Sequence, residues 1–336
     1  MKVLLTGGTG SVGKAVIDRL AARGHAVRVI GRREGLTVEG AEYQACDVTD
    51  YPRLREAIRG CEAVIHLAAI AWPGGGTPEQ IFQANCQGTF NVFQAATEEG
   101  IKRVVQASSI NAAGQYYGSK PAPIHYLPFD EEHPTYPSDA YSFSKNVVEY
   151  TGRYFWEREG ISSVALRLPA VLHEDARERY RQNRGRIQGL VERLLKLSGE
   201  ERLAWFEAAW KDYNDFRATR PNEKPGGAFP FISALPEDRR AAFAAMINRV
   251  HFFTVIDERD SAQAIEKGLT ADYSGCHDLF INDSLNHAAI ESKLLAELFY
   301  PDVKTFKREM PGTSTMLSID KARALIDYEP EFTYGL

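Results

Sequence analysis

Thr6-Gly7-Gly8-Thr9-Gly10-Ser11-Val12-Gly13 is the stretch on which the reading of this chain turns. It follows a short apolar run, Lys2–Thr6, and leads into residues 14–23, where Val16, Ile17, Leu20 and Ala21 form an apolar stripe at helical spacing. Each glycine has its own physical role. Gly7 permits the tight turn, Gly10 lets a pyrophosphate approach the backbone, and Gly13 lets the helix pack closely on the strand. The free N–H groups and the positive dipole end of the helix then face the phosphates. The strand–loop–helix context predicts dinucleotide binding by Thr6, Gly7, Gly10, Ser11, Val12 and Gly13.

Outward from the loop, strand and helix patterns alternate. Further strands are predicted at 26–30, 43–46, 63–67, 104–107 and 163–168, with helices over about 78–99 and 140–158. Near-continuous Val/Ile/Leu strands separated by helices imply an α/β fold: a Rossmann, doubly wound parallel sheet with helices on both faces. After Pro169 the rhythm breaks. Residues 174–199 are arginine-rich, 202–217 carry Phe206, Trp210 and Tyr213 at helical spacing, 221–236 form a Pro/Gly loop, and 237–249 are helical again. Strand and helix patterns return at 251–256, 260–268 and 278–281, and helices near 288–299 and 319–326 follow. The expected organisation is a dinucleotide-binding body with the catalytic residues over 1–172 and a helical insertion or lid over 173–249. The remainder of a smaller substrate domain, 250–336, sends strands back to the body.

Composition excludes several classes. The 336 residues are 44% hydrophobic and 25% charged, with net charge −5, so no global basic field recruits nucleic acid or anionic lipid. The longest strongly apolar stretch, 63–72, is interrupted by His66 and is far short of the ~20 residues of a membrane span. The N-terminus has no signal-peptide layout, so a cytoplasmic location is expected. Cys46, Cys61, Cys86 and Cys276 lack metal-ligand spacing and read as reduced, buried thiols; no metal site is expected.

Two further groups of residues point to chemistry. The second strand ends Ile30-Gly31-Arg32-Arg33, with no carboxylate to hold both ribose hydroxyls of NAD. A guanidinium from Arg32 or Arg33 suits a 2′-phosphate, so NADP is expected, with NAD as the alternative. Asp47 and Val48, after the third strand, are placed to cap an adenine. Tyr141 and Lys145 lie four apart on one helix face. A phenol with a free pKa of ~10 needs a neighbouring ammonium to become an acid/base near neutrality. Ser108 and Ser109 end the fifth strand at the sheet's carboxyl edge, where ligands usually bind. Asn85 can anchor its helix or hold a water.

Together these motifs resemble the extended short-chain dehydrogenase/reductase superfamily, the NAD-dependent epimerase/dehydratase group. The resemblance is carried by TGGTGSVG at 6–13, Asp47-Val48, HLAA at 66–69, NCQGTFN at 85–91, Ser108-Ser109 and YSFSK at 141–145. It implies Tyr141 as general acid/base, Lys145 lowering its pKa and binding ribose, and Ser109 polarising the reacting oxygen. It places Leu67, Ala68 and Ala69 along the pyrophosphate and ribose, Asn85 among the cofactor-binding residues, Leu168 and Pro169 at the nicotinamide, and a homodimer through the two long helices.

Ile110-Asn111 follows Ser109 where dehydratases of the family carry an Asp-Glu pair, which disfavours elimination. A dehydrogenase/reductase, a sugar or nucleotide-sugar 4-epimerase and a non-catalytic cofactor sensor stay open. Ala170 stands where nucleotide-sugar members have Asn. The run Ser108-Ser109, Gly114, Tyr116-Tyr117 is similar to the uronate dehydrogenase branch, so a carbohydrate-like small molecule is the expected substrate. Trp72, Asn111 and Ser109 are its candidate contacts. The arginine run reads as a solvated helix face or as a lid that clamps an anionic group. The Phe206/Trp210/Tyr213 stripe reads as lobe core or as a sugar-stacking platform.

Overall fold

The architecture comes from a computed structural model that describes residues 1–224 and 226–333. Its first half is β1 (Lys2–Thr6), α1 (Gly13–Ala22), β2 (Ala26–Gly31), β3 (Glu42–Ala45), α2 (Tyr51–Ile58) and β4 (Ala63–His66). Next, α3 (Pro78–Ile81) passes through a π-helical turn, Phe82–Gln87, into α4 (Gly88–Glu98), followed by β5 (Arg103–Ser109), α5 (Ala140–Glu159) and β6 (Ser162–Leu168). Beyond the short β7 (Val171–Leu172) come four helices: α6 (Arg177–Leu194), α7 (Gly199–Ala218), α8 (Phe229–Ser233) and α9 (Glu237–Val250). The chain then runs through β8 (Ile256–Asp257), α10 (Glu258–Thr270), β9 (Cys276–Phe280), α11 (Ser292–Phe299) and α12 (Asp320–Ile326).

Seven strands form one sheet in the order β3-β2-β1-β4-β5-β6-β9, every pair parallel. Their apolar side chains are sealed on both sides, which a parallel sheet requires. Val16, Ile17 and Leu20 of α1 and Ala262 and Ile265 of α10 cover one face, while Leu54 of α2, Val92 and Phe93 of α4 and Phe155 of α5 cover the other. Each such buried side chain larger than alanine contributes ~1.5–3 kcal/mol. The strand order reverses at β1 and β4, and the crevice that this reversal opens at the carboxyl edge carries the site. The last strand, β9, comes from beyond residue 250 and completes the sheet next to β6.

The helices α6, α7 and α9 pack Ile187, Leu190, Phe206, Tyr213, Phe243 and Met246 into a core that continues through Phe129, Phe280 and Phe299. The aromatic stripe is that core: Phe206 stacks on Trp210 at 6.4 Å and Trp210 on Tyr213 at 5.9 Å. Two buried arginines complete it. Arg249 is 1% exposed, sits 4.5 Å from the Trp210 ring centroid, and donates to the Phe299 carbonyl and to Asp302 at 2.7 Å. Arg217, 2% exposed, donates to the carbonyls of Gly118 at 2.8 Å, Gln115 at 3.0 Å and Lys120 at 3.2 Å. The arginines of α6 divide: Arg177 pairs with Asp257 and Arg186 with Glu237, whereas Arg181 pairs with Glu178 at the surface.

The expectation differed in several places, and the stretch expected as a Pro/Gly loop over 221–236 contains the helix α8, whose first turn holds Pro230. The helix α2 had no expected counterpart; Asp50 caps it by accepting from Arg53 N, and Pro52 opens it. The helix expected over 78–99 contains the π turn. The strand expected over 251–256 shrinks to two residues, because Phe252 and Phe253 take φ of 56° and 51° and turn the chain out of α9. The helix expected from 288 begins at Ser292. Among the described residues all four cysteines are free, and no helix is long and apolar enough to cross a membrane.

Candidate active site

A crevice of about 890 Å³ runs along the carboxyl edge of the sheet. At one end lie Gly7, Gly10, Ser11, Val12 and Gly13. Gly7 has φ +71°, and a Cβ there would lie 2.6 Å from Ala68 N; a Cβ on Gly13 would lie 1.9 Å from Gly8 O. The three segments therefore touch backbone to backbone, as a shallow phosphate cradle needs. No side chain caps the start of α1; Gly13 N–H donates to Gly10 O at 3.1 Å, and the dipole end of the helix faces the loop. These features fit a nicotinamide dinucleotide.

Arg32 lines the crevice past β2, and so do Asp47, Val48, Leu67, Ala68 and Ala69. Asp47 Oδ1 accepts from Thr49 N at 2.9 Å and from the Thr49 hydroxyl at 2.7 Å, which fixes the carboxylate. Val48 packs where Gly88 has no side chain; a Cβ there would lie 2.7 Å from Val48 Cγ2. Leu168 and Pro169 line the same crevice.

Four expected residues lie elsewhere. Thr6 is fully buried: its hydroxyl bonds His66 Nδ1 at 2.7 Å and accepts from Ala68 N at 3.1 Å, so it holds the crevice wall instead of a ligand. Arg33 is not on the crevice wall; its carbonyl accepts from the Tyr43 hydroxyl at 2.6 Å and its side chain is exposed. Asn85 accepts from Ile70 N at 2.7 Å and donates to Ile70 O at 3.0 Å and Ser144 Oγ at 2.9 Å. Its amide is spent anchoring the helix to the loop after β4 and to α5, the other role the sequence allowed. Trp72 also leaves the crevice wall; the Pro73-Gly74-Gly75 turn folds its ring back over Gly74, against Gly227 and next to Asn222.

At the other end, Asp139 caps α5 by accepting from Ser142 N at 2.8 Å, which sets Tyr141 in the first helical turn. Tyr141, Lys145, Ser109 and Asn111 all line the crevice there and are all at least nine-tenths buried. Burial pushes the Tyr141 phenol up to about 12, a rise that the neighbouring Ser109 hydroxyl opposes. Ser109 Oγ accepts from Asn111 N at 3.1 Å and Asn111 Nδ2 at 3.2 Å. Burial draws Lys145 down to about 8, opposed by the Glu149 carboxylate one turn further along α5. Lys145 Nζ donates to Ala107 O at 2.8 Å and lies 5.7 Å from the Tyr141 ring centroid. The expected depression of the tyrosine by the lysine is therefore absent from this arrangement, because the ammonium faces a backbone carbonyl and the phenol is desolvated. Ser108 differs from Ser109: its hydroxyl donates to Glu149 Oε1 at 2.6 Å, and Glu149 in turn holds Arg167 through two 2.8 Å bonds.

The crevice also contains residues outside the expected set, among them Gln83, Tyr117 and His251. Tyr117 lay within a motif already quoted. Nothing local marks His251, which arrives from the end of α9, more than a hundred residues beyond Tyr141.

Comparison with known proteins fits this geometry. The chain is 28% identical over 180 residues to a uronate dehydrogenase of Pseudomonas syringae, an alignment covering 53% of this chain and 62% of that protein. It thus spans somewhat less than two thirds of that relative. It is 32% identical over 179 residues to an L-arabinose 1-dehydrogenase (NAD(P)(+)) of Haloferax volcanii, covering 52% of this chain and 68% of that protein. The solved UDP-glucose 4-epimerase of Thermus thermophilus in complex with NAD shares the fold, with a TM-score of 0.59 at 19% identity over 99% of this chain and 95% of that one. The family model for the NAD dependent epimerase/dehydratase family matches residues 3–213, more than half of the sequence, and the chain belongs to that family.

Proposed function

We propose that this protein is an NAD(P)-dependent oxidoreductase acting on a carbohydrate-like alcohol or carbonyl by a Ser-Tyr-Lys mechanism. One observation carries the reading: buried Ser109, Tyr141 and Lys145 converge at one end of a crevice whose other end is a backbone phosphate cradle. The names of the two dehydrogenase relatives support a sugar or sugar acid as substrate. Arg32 on the crevice wall supports NADP, with NAD as the alternative cofactor.

In this reading Gly7 to Gly13 and the start of α1 hold the pyrophosphate, Asp47 and Val48 the adenine, and Leu168 and Pro169 the nicotinamide. The nicotinamide supplies a hydride acceptor or donor. Tyr141 does the proton work. Held protonated by burial, its phenol gives its proton to a carbonyl oxygen in the reductive direction; in the oxidative direction the phenol first loses that proton, and the resulting phenolate takes the proton of the substrate hydroxyl. Ser109, on the same crevice wall, shares the reacting oxygen with it. Lys145, turned from Ala107 O toward the phenol, stabilises the phenolate, and Glu149 keeps it charged.

A second copy of the chain completes the proposal. The α3–α4 and α5 faces expose Phe82, Phe90, Phe143, Tyr150 and Tyr154, with Phe82 stacked on Phe143 and Phe90 on Tyr154. A face this aromatic supports a homodimer, checked by light scattering.

The test is a panel of uronates, aldoses and aldose phosphates with both cofactors, following the near-ultraviolet absorbance of reduced nicotinamide. The expected result is net reduction of NADP or NAD on at least one sugar. Tyr141→Phe is expected to lose ~10²–10⁴-fold in turnover while keeping cofactor affinity. Unchanged turnover in that variant overturns the assignment. Tightly bound cofactor with isomerised sugar and no net reduction marks a 4-epimerase instead.

A further inference from the structure

Of the buried polar atoms that have no hydrogen-bond partner among the described residues, two belong to residues on the crevice wall: Asn111 Oδ1 and His251 Nε2. Buried polar groups are almost always paired, so two exceptions on the wall of one crevice call for a partner that arrives from outside. Asn111 comes from the loop after β5. His251 is the residue on which α9 ends.

The placement of His251 is costly. Its next two residues, Phe252 and Phe253, are both in the left-handed region, which bulky side chains avoid. Phe252 is 1% exposed and Phe253 fully buried, so the packing of both rings holds the turn. A row of rings then links the helical lobe to the catalytic tyrosine. The imidazole meets Tyr116 edge-on at 4.1 Å, Tyr116 lies 4.5 Å from Tyr117, and Tyr117 meets Tyr141 edge-on at 5.6 Å. The loop carrying Tyr116 and Tyr117 is pinned from the lobe by Arg217, through the carbonyls of Gln115, Gly118 and Lys120.

We infer that His251 and Tyr117 form a substrate subsite facing Asn111, in which the imidazole binds a sugar hydroxyl and the Tyr117 ring packs against the sugar's C–H face. This rests on the oxidoreductase reading above and names its substrate wall. Burial holds the His251 imidazole neutral, near 4, so it offers one donor and one acceptor and no charge. A hydroxyl, itself both donor and acceptor, matches that pair of functions. The lobe thereby contributes to substrate choice without touching the cofactor cradle.

The experiment uses the full chain and its His251→Phe, His251→Asn and Tyr117→Ala variants. Kinetics are run on L-arabinose, D-galactose and D-glucuronate, cofactor Kd is measured by fluorescence quenching, and sugar binding by saturation-transfer NMR on the cofactor-loaded protein. His251→Phe keeps a ring and removes both nitrogens. It is expected to raise KM about tenfold on the sugar the parent turns over, with kcat within about threefold and cofactor Kd unchanged. His251→Asn is expected to recover part of that loss, and Tyr117→Ala to raise KM similarly. An unchanged KM in His251→Phe, or a parallel change in cofactor Kd, overturns the subsite. Sugar binding by the parent without turnover overturns the oxidoreductase reading alone, because the NMR signal still reads His251. A parent that binds none of the three sugars overturns the subsite.

Discussion

The β-α body and the helical lobe between β7 and β8 hold themselves together by different means. In the body, aliphatic side chains fill both faces of a parallel sheet, and glycines bring the backbone segments into contact. The crevice lies at the strand ends, and the residues proposed to act there fall within a few positions of a recognisable motif. In the lobe, buried guanidinium groups take the place of backbone ladders. Arg217 binds three carbonyls of a loop about a hundred residues away, and Arg249 lies among Trp210, Phe206 and Tyr300. A parallel sheet positions whatever follows its strands, and the lobe positions only what its individual side chains reach. The body is therefore robust to most surface changes, and the lobe depends on a few long contacts.

The largest effect in this contrast is expected at the cradle. Gly13→Ala places a Cβ against Gly8 O, so α1 must shift; cofactor affinity is expected to fall at least ~100-fold, about 2.7 kcal/mol, by fluorescence titration. Affinity within twofold of the parent breaks the argument that backbone contact shapes this end. Arg217→Met is the matching change in the lobe. It strands three carbonyls and is expected to cost about 1–3 kcal/mol in chemical denaturation, and to lower turnover while leaving cofactor Kd unchanged. Loss of cofactor affinity in that variant would mean that the lobe supports the cradle too.

Acid is expected to strike both regions. His66 in the body is pushed down to about 3 by burial, and His287, which packs against the lobe through Asn248, to about 4. Between the folded values and the free value of ~6.5 the unfolded chain binds more protons, so stability falls as pH falls through that window. At about pH 5 each histidine costs ~2 kcal/mol relative to neutrality, read from denaturation curves at the two pH values. His287→Gln is expected to flatten the slope. The smallest effect is expected for Arg32→Ala: about tenfold weaker NADP binding with NAD within twofold, by calorimetry. Equal parental affinity for the two cofactors removes the argument for a 2′-phosphate contact.

The body was legible because its signals are local. The glycine loop, the strand runs and the Tyr141/Lys145 spacing each lie within one or two elements, and the parallel register brings them to the same edge. Within it, α2 went unread although Leu54, Ala57 and Ile58 stand at i, i+3 and i+4, because a helix of eight residues gives that period a single repeat. Thr6, Arg33, Asn85 and Trp72 had suitable chemistry and neighbourhood, but their polar atoms or rings are used up by the protein itself or lie away from the crevice. Hydrogen-bond satisfaction is settled between elements and leaves no mark on spacing.

Hydrophobic period and glycine placement were enough to specify a doubly wound parallel sheet, its crevice edge and the dinucleotide cradle, because each of these depends on backbone geometry over a dozen residues. Tertiary packing determined which of two adjacent serines is left to the crevice end that holds Tyr141: Glu149, about forty residues on in α5, captures Ser108. It also left Lys145 facing Ala107 and brought His251 into the ring stack that reaches Tyr117. These outcomes depend on which side chains compete for the same few buried partners, and that competition exists only once distant segments have been brought together.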